Sequence, residues 1–215
     1  MHAHDWEAWL TDWNRQLLAS YDPREHNAFV DPAVTPQVIA SGWLGFTGAT
    51  EQQIAALEGR LGVPLPPSYR WFLQASNGFL QPGVIVPRLL GTDEVDWFRV
   101  AHQETIDAWN LGAGAGPEGF AGGPDAFEQY LPAALQVSAV ERIGTAVYLL
   151  NPEVVDGGGE WEAFYFAHWV PGVNRYPSFR ALMHAEQECW TAPPPPSPPS
   201  RLQTYWETLR WIFRP

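Results

Sequence analysis

No lysine occurs anywhere in the 215 residues, so the cationic complement is twelve arginines set against 24 aspartates and glutamates. A nucleic-acid binder neutralises phosphates with clustered Lys or Arg, and a formal net charge of −12 has the wrong sign for that task. The missing lysine also removes the Gly-Lys-Ser/Thr ending that would make a phosphate cradle of GAGAGPEGFAGGP, residues 112–124, which therefore reads as a surface loop. Cysteine occurs once, at Cys189. An intramolecular disulfide is impossible, and a reducing compartment is expected. No apolar run reaches the length of about eighteen residues that a membrane span needs. The stretch MHAHDWEAWLTDW lacks the basic start and apolar block of a secretory signal. Together these absences predict a cytoplasmic protein that engages neither nucleic acid nor membrane.

Catalytic signatures are also missing. There is no G-x-S-x-G elbow, no H-E-x-x-H and no paired C-x-x-C. Glu160 and Glu162, about 7 Å apart on a strand and on one face of it, raise a glycosidase-like pair, yet no second-strand acid completes it. His184, Glu188 and Cys189 share a helix turn, and His2 with His4 form a His-x-His. Zinc needs three or four converging ligands at suitable spacing, which neither group supplies. The expectation is a non-enzyme without metal or cofactor.

What is present is a folded chain with 46% hydrophobic and 17% charged residues, of a length for one core plus an appendage. Trp6, Trp9, Trp13 and Leu17 fall at i, i+3, i+7 and i+11, an amphipathic helix with Asp5 as a plausible cap; such a stripe belongs to a core more often than to a platform. Residues 21–49 are rich in Pro, Gly and turn formers and read as loop until Gly42-Trp43. GVIVPRLL suits an edge strand. DEVDWFRVAHQETIDAWN reads as a turn leading into a helix packed through Trp97, Ala101, Ile106 and Trp109. ALQVSAV and TAVYLLNP read as an antiparallel hairpin, with WEAFYFAHW beside it. The last of these is apolar on both faces, which predicts a central strand with helices covering it. SFRALMHAEQECW closes the domain as a helix. APPPPSPP, residues 192–199, is an extended tether of about 3.1 Å per residue. Beyond it Leu202, Trp206, Leu209 and Phe213 give a terminal amphipathic helix, expected to dock on its own domain or to exchange with a second copy as a homo-oligomer. The expected organisation is 1–41 as N-terminal helix and loop, 42–191 as the main domain, 192–200 as linker and 201–215 as C-terminal helix. The fold class is α+β, a mostly antiparallel sheet covered by helices.

The most informative stretch is TEQQIAALEGRLGVPLPPSYRWFLQASNGF. Thr50 with Gln53 makes a capping box, Ile54, Leu57 and Leu61 line one helix face, and Gly62 ends it. Pro64, Pro66 and Pro67 stiffen the connector, and Pro67 fits the first turn of a second helix whose stripe is Tyr69, Phe72 and Leu73 and whose stop is Asn77-Gly78. The pattern Ile54, Leu57-Glu58, Leu61-Gly62, Leu65-Pro66-Pro67, Tyr69, Phe72-Leu73, Asn77-Gly78 resembles the opening signature of the SUKH superfamily. YLLNP at 148–152, GEWEAF at 159–164, Trp169 with Pro171-Gly172, and YPSFRALM at 176–183 resemble its later strands and closing helix, so the likeness spans about residues 42–190. Phe79 departs from it, where many members carry a second glycine. The resemblance implies an immunity protein that binds and neutralises a cognate toxin, or a regulatory scaffold like the fungal members.

Charge placement refines the partner. Residues 93–162 hold 13 acids against Arg99 and Arg142 alone, while the flanks are nearly neutral. A basic toxin, such as a nuclease, suits this surface. Asp93, Glu94 and Asp96 with Trp97, and Asp156, Glu160 and Glu162 with Trp161, are the candidate partner-binding residues. They would form one negative rim with two aromatic anchors if pairing brings both turns to one end of the sheet. Leu65, Pro66, Tyr69, Phe72, Asn77 and Gly78 are the candidate structural motif. A carbohydrate-binding or carbohydrate-active role through the tryptophans and Glu160/Glu162 is the third possibility.

Overall fold

A computed structural model describes residues 3–20, 32–83, 85–113, 127–140, 146–167 and 173–191. The helices are α1 (Ala3–Ser20), α2 (Pro36–Ser41), α3 (Glu51–Leu61), α4 (Pro67–Ala75), α5 (Phe98–Ala113) and α6 (Phe179–Thr191), with a 3-10 helix over Glu128–Ala133. Strands β1 (Phe79–Leu80) and β2 (Arg88–Leu89) form a small antiparallel ribbon. Strands β3 (Asp96–Trp97), β4 (Leu135–Gln136), β5 (Ala146–Val155), β6 (Trp161–Ala167) and β7 (Val173–Tyr176) form an antiparallel sheet in that order. The α+β class is as the pattern predicts. The expected linker 192–200, the terminal helix 201–215, the segment 21–31 and most of the glycine-rich loop lie outside the described residues.

Alternation along β6 divides the interior in two. Trp161, Ala163, Tyr165 and Ala167 join Tyr148 and Leu150 of β5 in a larger core, while Phe164 and Phe166 join Val147 and Leu149 in a smaller one. α1, α3, α4 and α6 cover the larger face. There Phe72 meets Phe179 at 5.2 Å and Trp6 at 5.7 Å between ring centroids. The tryptophan stripe of α1 is part of this core: Trp6 and Trp13 are fully buried, and half-buried Trp9 donates Nε1–H to Gln187 Oε1 (2.8 Å). α5 and the 3-10 helix cover the smaller face through Phe98, Ile106 and Leu131, with Phe127 beside them.

The helical hairpin forms as its residues dictate. Thr50 Oγ1 accepts from Gln53 N–H while Gln53 Oε1 accepts from Thr50 N–H, and Gly62 takes φ +76° to end α3. Two expectations need correction. Residues 36–41 are helical rather than loop, because Thr35 caps Val38 and Pro36 presets the first turn. Ala101 is exposed rather than packed, and lies next to a non-helical kink in α5 at His102 that interrupts the regular helical spacing on which the expected buried stripe depends.

Asn77-Gly78 proves to be a tether as well as a stop. The chain from β2 to β3 follows one flank of residues 135–139: Ala139 N donates to Arg88 O (2.9 Å), Leu90 N to Val137 O (3.0 Å), and Asp96 then pairs with Gln136. Residues 91–95 bulge out between these contacts. Asn77 Oδ1 accepts from Thr92 N (2.7 Å), and Arg60 Nη2 donates to Thr92 O (2.9 Å) and Val95 O (2.6 Å). Gly78, at φ +103°, lies so close beneath that a side chain would stand 3.0 Å from Leu89 O.

Candidate protein-interaction surface

Most acids of the two candidate turns hold the protein's own backbone or arginines. In the first turn Glu94 receives both Arg88 guanidinium nitrogens (2.7 and 2.8 Å) and the Gly91 amide (3.3 Å). The hydrogen bonds from Arg88 are the main cause holding its carboxyl below the usual range, against the opposing effect of burial. Asp96 Oδ1 accepts from Trp97 N (2.8 Å). Trp97 is half-buried, with the Arg99 guanidinium 5.4 Å above its ring. Asp93 is exposed.

In the second turn Asp156 Oδ1 accepts from Gly158 N (2.7 Å) and Glu160 N (2.9 Å), and Gly159 adopts φ +81° to complete the reversal. Glu160 then reaches the first turn of α4, accepting from Ser68 N (2.9 Å) and Ser68 Oγ (2.6 Å). This carboxylate supplies the cap that Pro66, ahead of the helix, cannot provide, and it sits at the positive end of the helix dipole. Trp161 is only 7% exposed and belongs to the larger core. Glu162 pairs with Arg175 through two bonds (2.6 and 2.9 Å) and accepts from Asn151 Nδ2 (3.1 Å).

Two expectations are corrected here. Glu160 and Glu162 do not point the same way. Glu160 precedes the first residue of β6, so strand alternation does not govern it; it turns to α4 over the larger core, whereas Glu162 turns to Arg175, which lies against Phe164 and Tyr130 of the smaller. Nor do the two turns make one rim. β3 and β6 are three strands apart, roughly 14 Å at the usual spacing. Because Trp97 pairs with Leu135 and Leu135 with Leu150, the chain from Asp96 back to Asp93 runs away from the end that carries residues 156–160.

The sequence reading missed the β5–β6 tip. β5 slips its register between Asn151 and Val155, and beyond that point Glu153, Val154 and Val155 are exposed, the valines at 37% and 51%. The signal was available in EVVDGGGE, two β-branched residues running straight into a glycine turn. Asp93, Glu104, Asp107, Glu153 and Asp156 are likewise exposed, with no arginine paired to them among the described residues.

On α6, His184 lies against the Trp9 ring at 5.3 Å, and burial, then the nearby Arg180, lowers its pKa. Among the described residues no three of His, Cys, Asp and Glu converge as a metal site requires, and no helix is long and apolar enough to cross a membrane. A comparison with curated proteins finds no match. The family model of the SMI1 / KNR4 family (SUKH-1) matches residues 48–183, from the start of the helical hairpin through β6 and β7 into α6, and the chain belongs to that family.

Proposed function

We propose that this chain is an immunity-type SUKH protein that binds and neutralises a cognate toxin with a basic surface, such as a nuclease. Membership supports an immunity or regulatory role at the level of the family. The observation that carries the choice of partner is the acidic excess of residues 93–162, part of which stays exposed at Asp93, Glu104, Asp107, Glu153 and Asp156 with no arginine paired to it among the described residues. Complementary charge speeds encounter and penalises wrong partners, and a non-catalytic protein needs no more than occlusion to neutralise an enzyme. The β5–β6 tip, with exposed Val154 and Val155 between Glu153 and Asp156, adds apolar contact to that charge. Asp93, Glu94, Asp96 and Trp97 form a second, separate part of the candidate surface.

The test is growth rescue. If a neighbouring reading frame encodes a protein with a toxic C-terminal domain, co-expression with that domain should restore growth, and the purified pair should associate at a rate that falls with salt. Normal binding to an endogenous protein, with no rescue, would favour the regulatory scaffold instead. Release of reducing sugar by the wild type, lost in a Glu160→Gln, Glu162→Gln double variant, would return the carbohydrate reading.

A further inference from the structure

The described residues of the connection between β1 and β2, 81–83 and 85–87, are folded inward. Gln81, Pro82, Gly83, Ile85, Val86 and Pro87 are all buried, and Gln81 N donates to Pro87 O (2.7 Å) to close the loop at its base. Gln81 holds φ at +51°, a region that residues other than glycine enter uncommonly. Its Nε2 donates to Gly83 O (2.8 Å), while its buried Oε1 has no hydrogen-bond partner among the described residues. Beneath Gly83 two polar groups converge, Glu186 of α6 and Tyr148 of β5. A Cβ on residue 83 would overlap both Glu186 Oε2 and Tyr148 Oη, so only glycine seats the loop this deeply.

The surroundings of Glu186 are aromatic and uncharged. Tyr148 comes from β5 and Tyr176 from β7, with Tyr165 of β6 beside Tyr148 and Cys189 of α6 beside Tyr176. The described residues of the loop contribute no titratable group. On α6 itself His184 turns to Trp9 of α1 and to Arg180, and Glu188 is exposed. α1 presents Gln16 and Trp9 to the neighbouring Gln187. No arginine is paired with Glu186 among the described residues.

We infer that the described residues of this connection form a proton-operated latch, in which the neutral Glu186 carboxyl seats Gly83 against Tyr148 and the ionised carboxylate loosens the loop and uncovers Ile85 and Val86. A neutral carboxyl can be buried here at small cost, whereas a buried anion facing phenols and no cation is strongly disfavoured. Tyr148 Oη beside it is buried without a hydrogen-bond partner among the described residues, Glu186 as a whole is partly exposed, and burial of its carboxyl end under Gly83 raises the Glu186 pKa to about 7. The latch rests on these contacts alone and does not depend on the proposed role toward a partner.

The sign follows from linkage. Closed, the group binds its proton more tightly than when the loop is open and solvated. Closure is therefore complete below the ordinary carboxylate range and is lost as pH rises toward 7. One proton is involved, so the opening constant should rise up to about tenfold per pH unit between about 5 and 7 and level off above. Amide hydrogen exchange of Gln81, Ile85 and Val86 in the full chain, corrected for intrinsic rates, reads this directly. Glu186→Gln should hold the loop closed across the range, and His184→Gln should leave the pH dependence in place. Carboxyl NMR of wild-type Glu186 gives the same answer without a variant, as a midpoint near 7. An opening constant indifferent to pH, a dependence that survives Glu186→Gln, or a Glu186 midpoint in the ordinary carboxylate range would each overturn the latch.

Discussion

The two faces of the sheet are built from the same strand residues in alternation, yet they are secured differently. On the larger face α1, α4 and α6 meet over interlocked rings, Trp6, Tyr69, Phe72 and Phe179, and the hairpin beneath is pinned by Thr50, Asn77, Arg60 and Glu160. On the smaller face α5 and the 3-10 helix rest on Phe164 and Phe166 with, among the described residues, fewer side-chain ties: Arg99 Nη1 to Pro132 O (2.7 Å) and the Glu162–Arg175 pair, beside the backbone bond from Phe98 N to Ala134 O (2.8 Å). The difference teaches that the family pattern secures one side of the sheet, while the other side is held chiefly by apolar packing.

The sharpest way to break this contrast is a matched pair of cavities. Phe72→Ala should cost about 3–5 kcal/mol, because rings fixed by three helices cannot close over the void. Phe166→Ala should fall at the lower end of that range, about 3 kcal/mol, because α5 and the 3-10 helix are freer to settle inward. Equal losses in chemical denaturation would show that the polar pins do not stiffen the larger face. Next in size is the cap: Glu160→Ala should cost about 1–2 kcal/mol by leaving the Ser68 amide and hydroxyl without their acceptor. Thr50→Ala should cost about 1 kcal/mol.

Two further changes probe the margins. Glu94 has its carboxyl held below the usual range, chiefly by Arg88, so its contribution is present above the ordinary carboxylate value and lost as pH falls through the lowered one. Glu94→Gln should therefore lower stability slightly at neutral pH, have no effect once the pH is below the lowered value, and so flatten the acid dependence of unfolding. The smallest stability effect is expected at the tip, where Val154→Asp with Val155→Asp should stay within about 0.5 kcal/mol per site. The same double change should hasten release of a captured toxin. A fall in melting temperature instead would assign the valines to the fold.

Legibility followed the range of the forces involved. The hairpin α3–α4 could be read residue by residue because its caps, prolines and terminal glycine act within a few positions. The two-sided burial of β6 was equally plain from alternation. The bulge at residues 91–95 was not, since what holds it, Asn77 and Arg60, lies elsewhere in the chain and no local pattern announces it. Glu160 and Glu162 misled for the same reason: alternation assigns directions only inside a strand, and Glu160 stands just outside. Glu186 lies in SFRALMHAEQECW, which in sequence reads only as a closing helix, and the contact of its carboxylate with Gly83 depends on a loop remote in sequence.

The bulge has a bearing on solubility. A sheet that ends in a straight, open strand invites another chain to extend it, and proteins rely on charge, brevity or distortion to prevent this. Here the β2–β3 flank is distorted: residues 91–95 leave the ladder, and Asn77 and Arg60 hold them away from it. Two of these fastenings are a neutral amide and a guanidinium bound to carbonyls, so the flank stays closed by shape even where its carboxylates are removed. Charge-neutralised variants at Asp93 and Asp96 should accordingly remain unaggregated at concentrations where self-association through an open edge would appear.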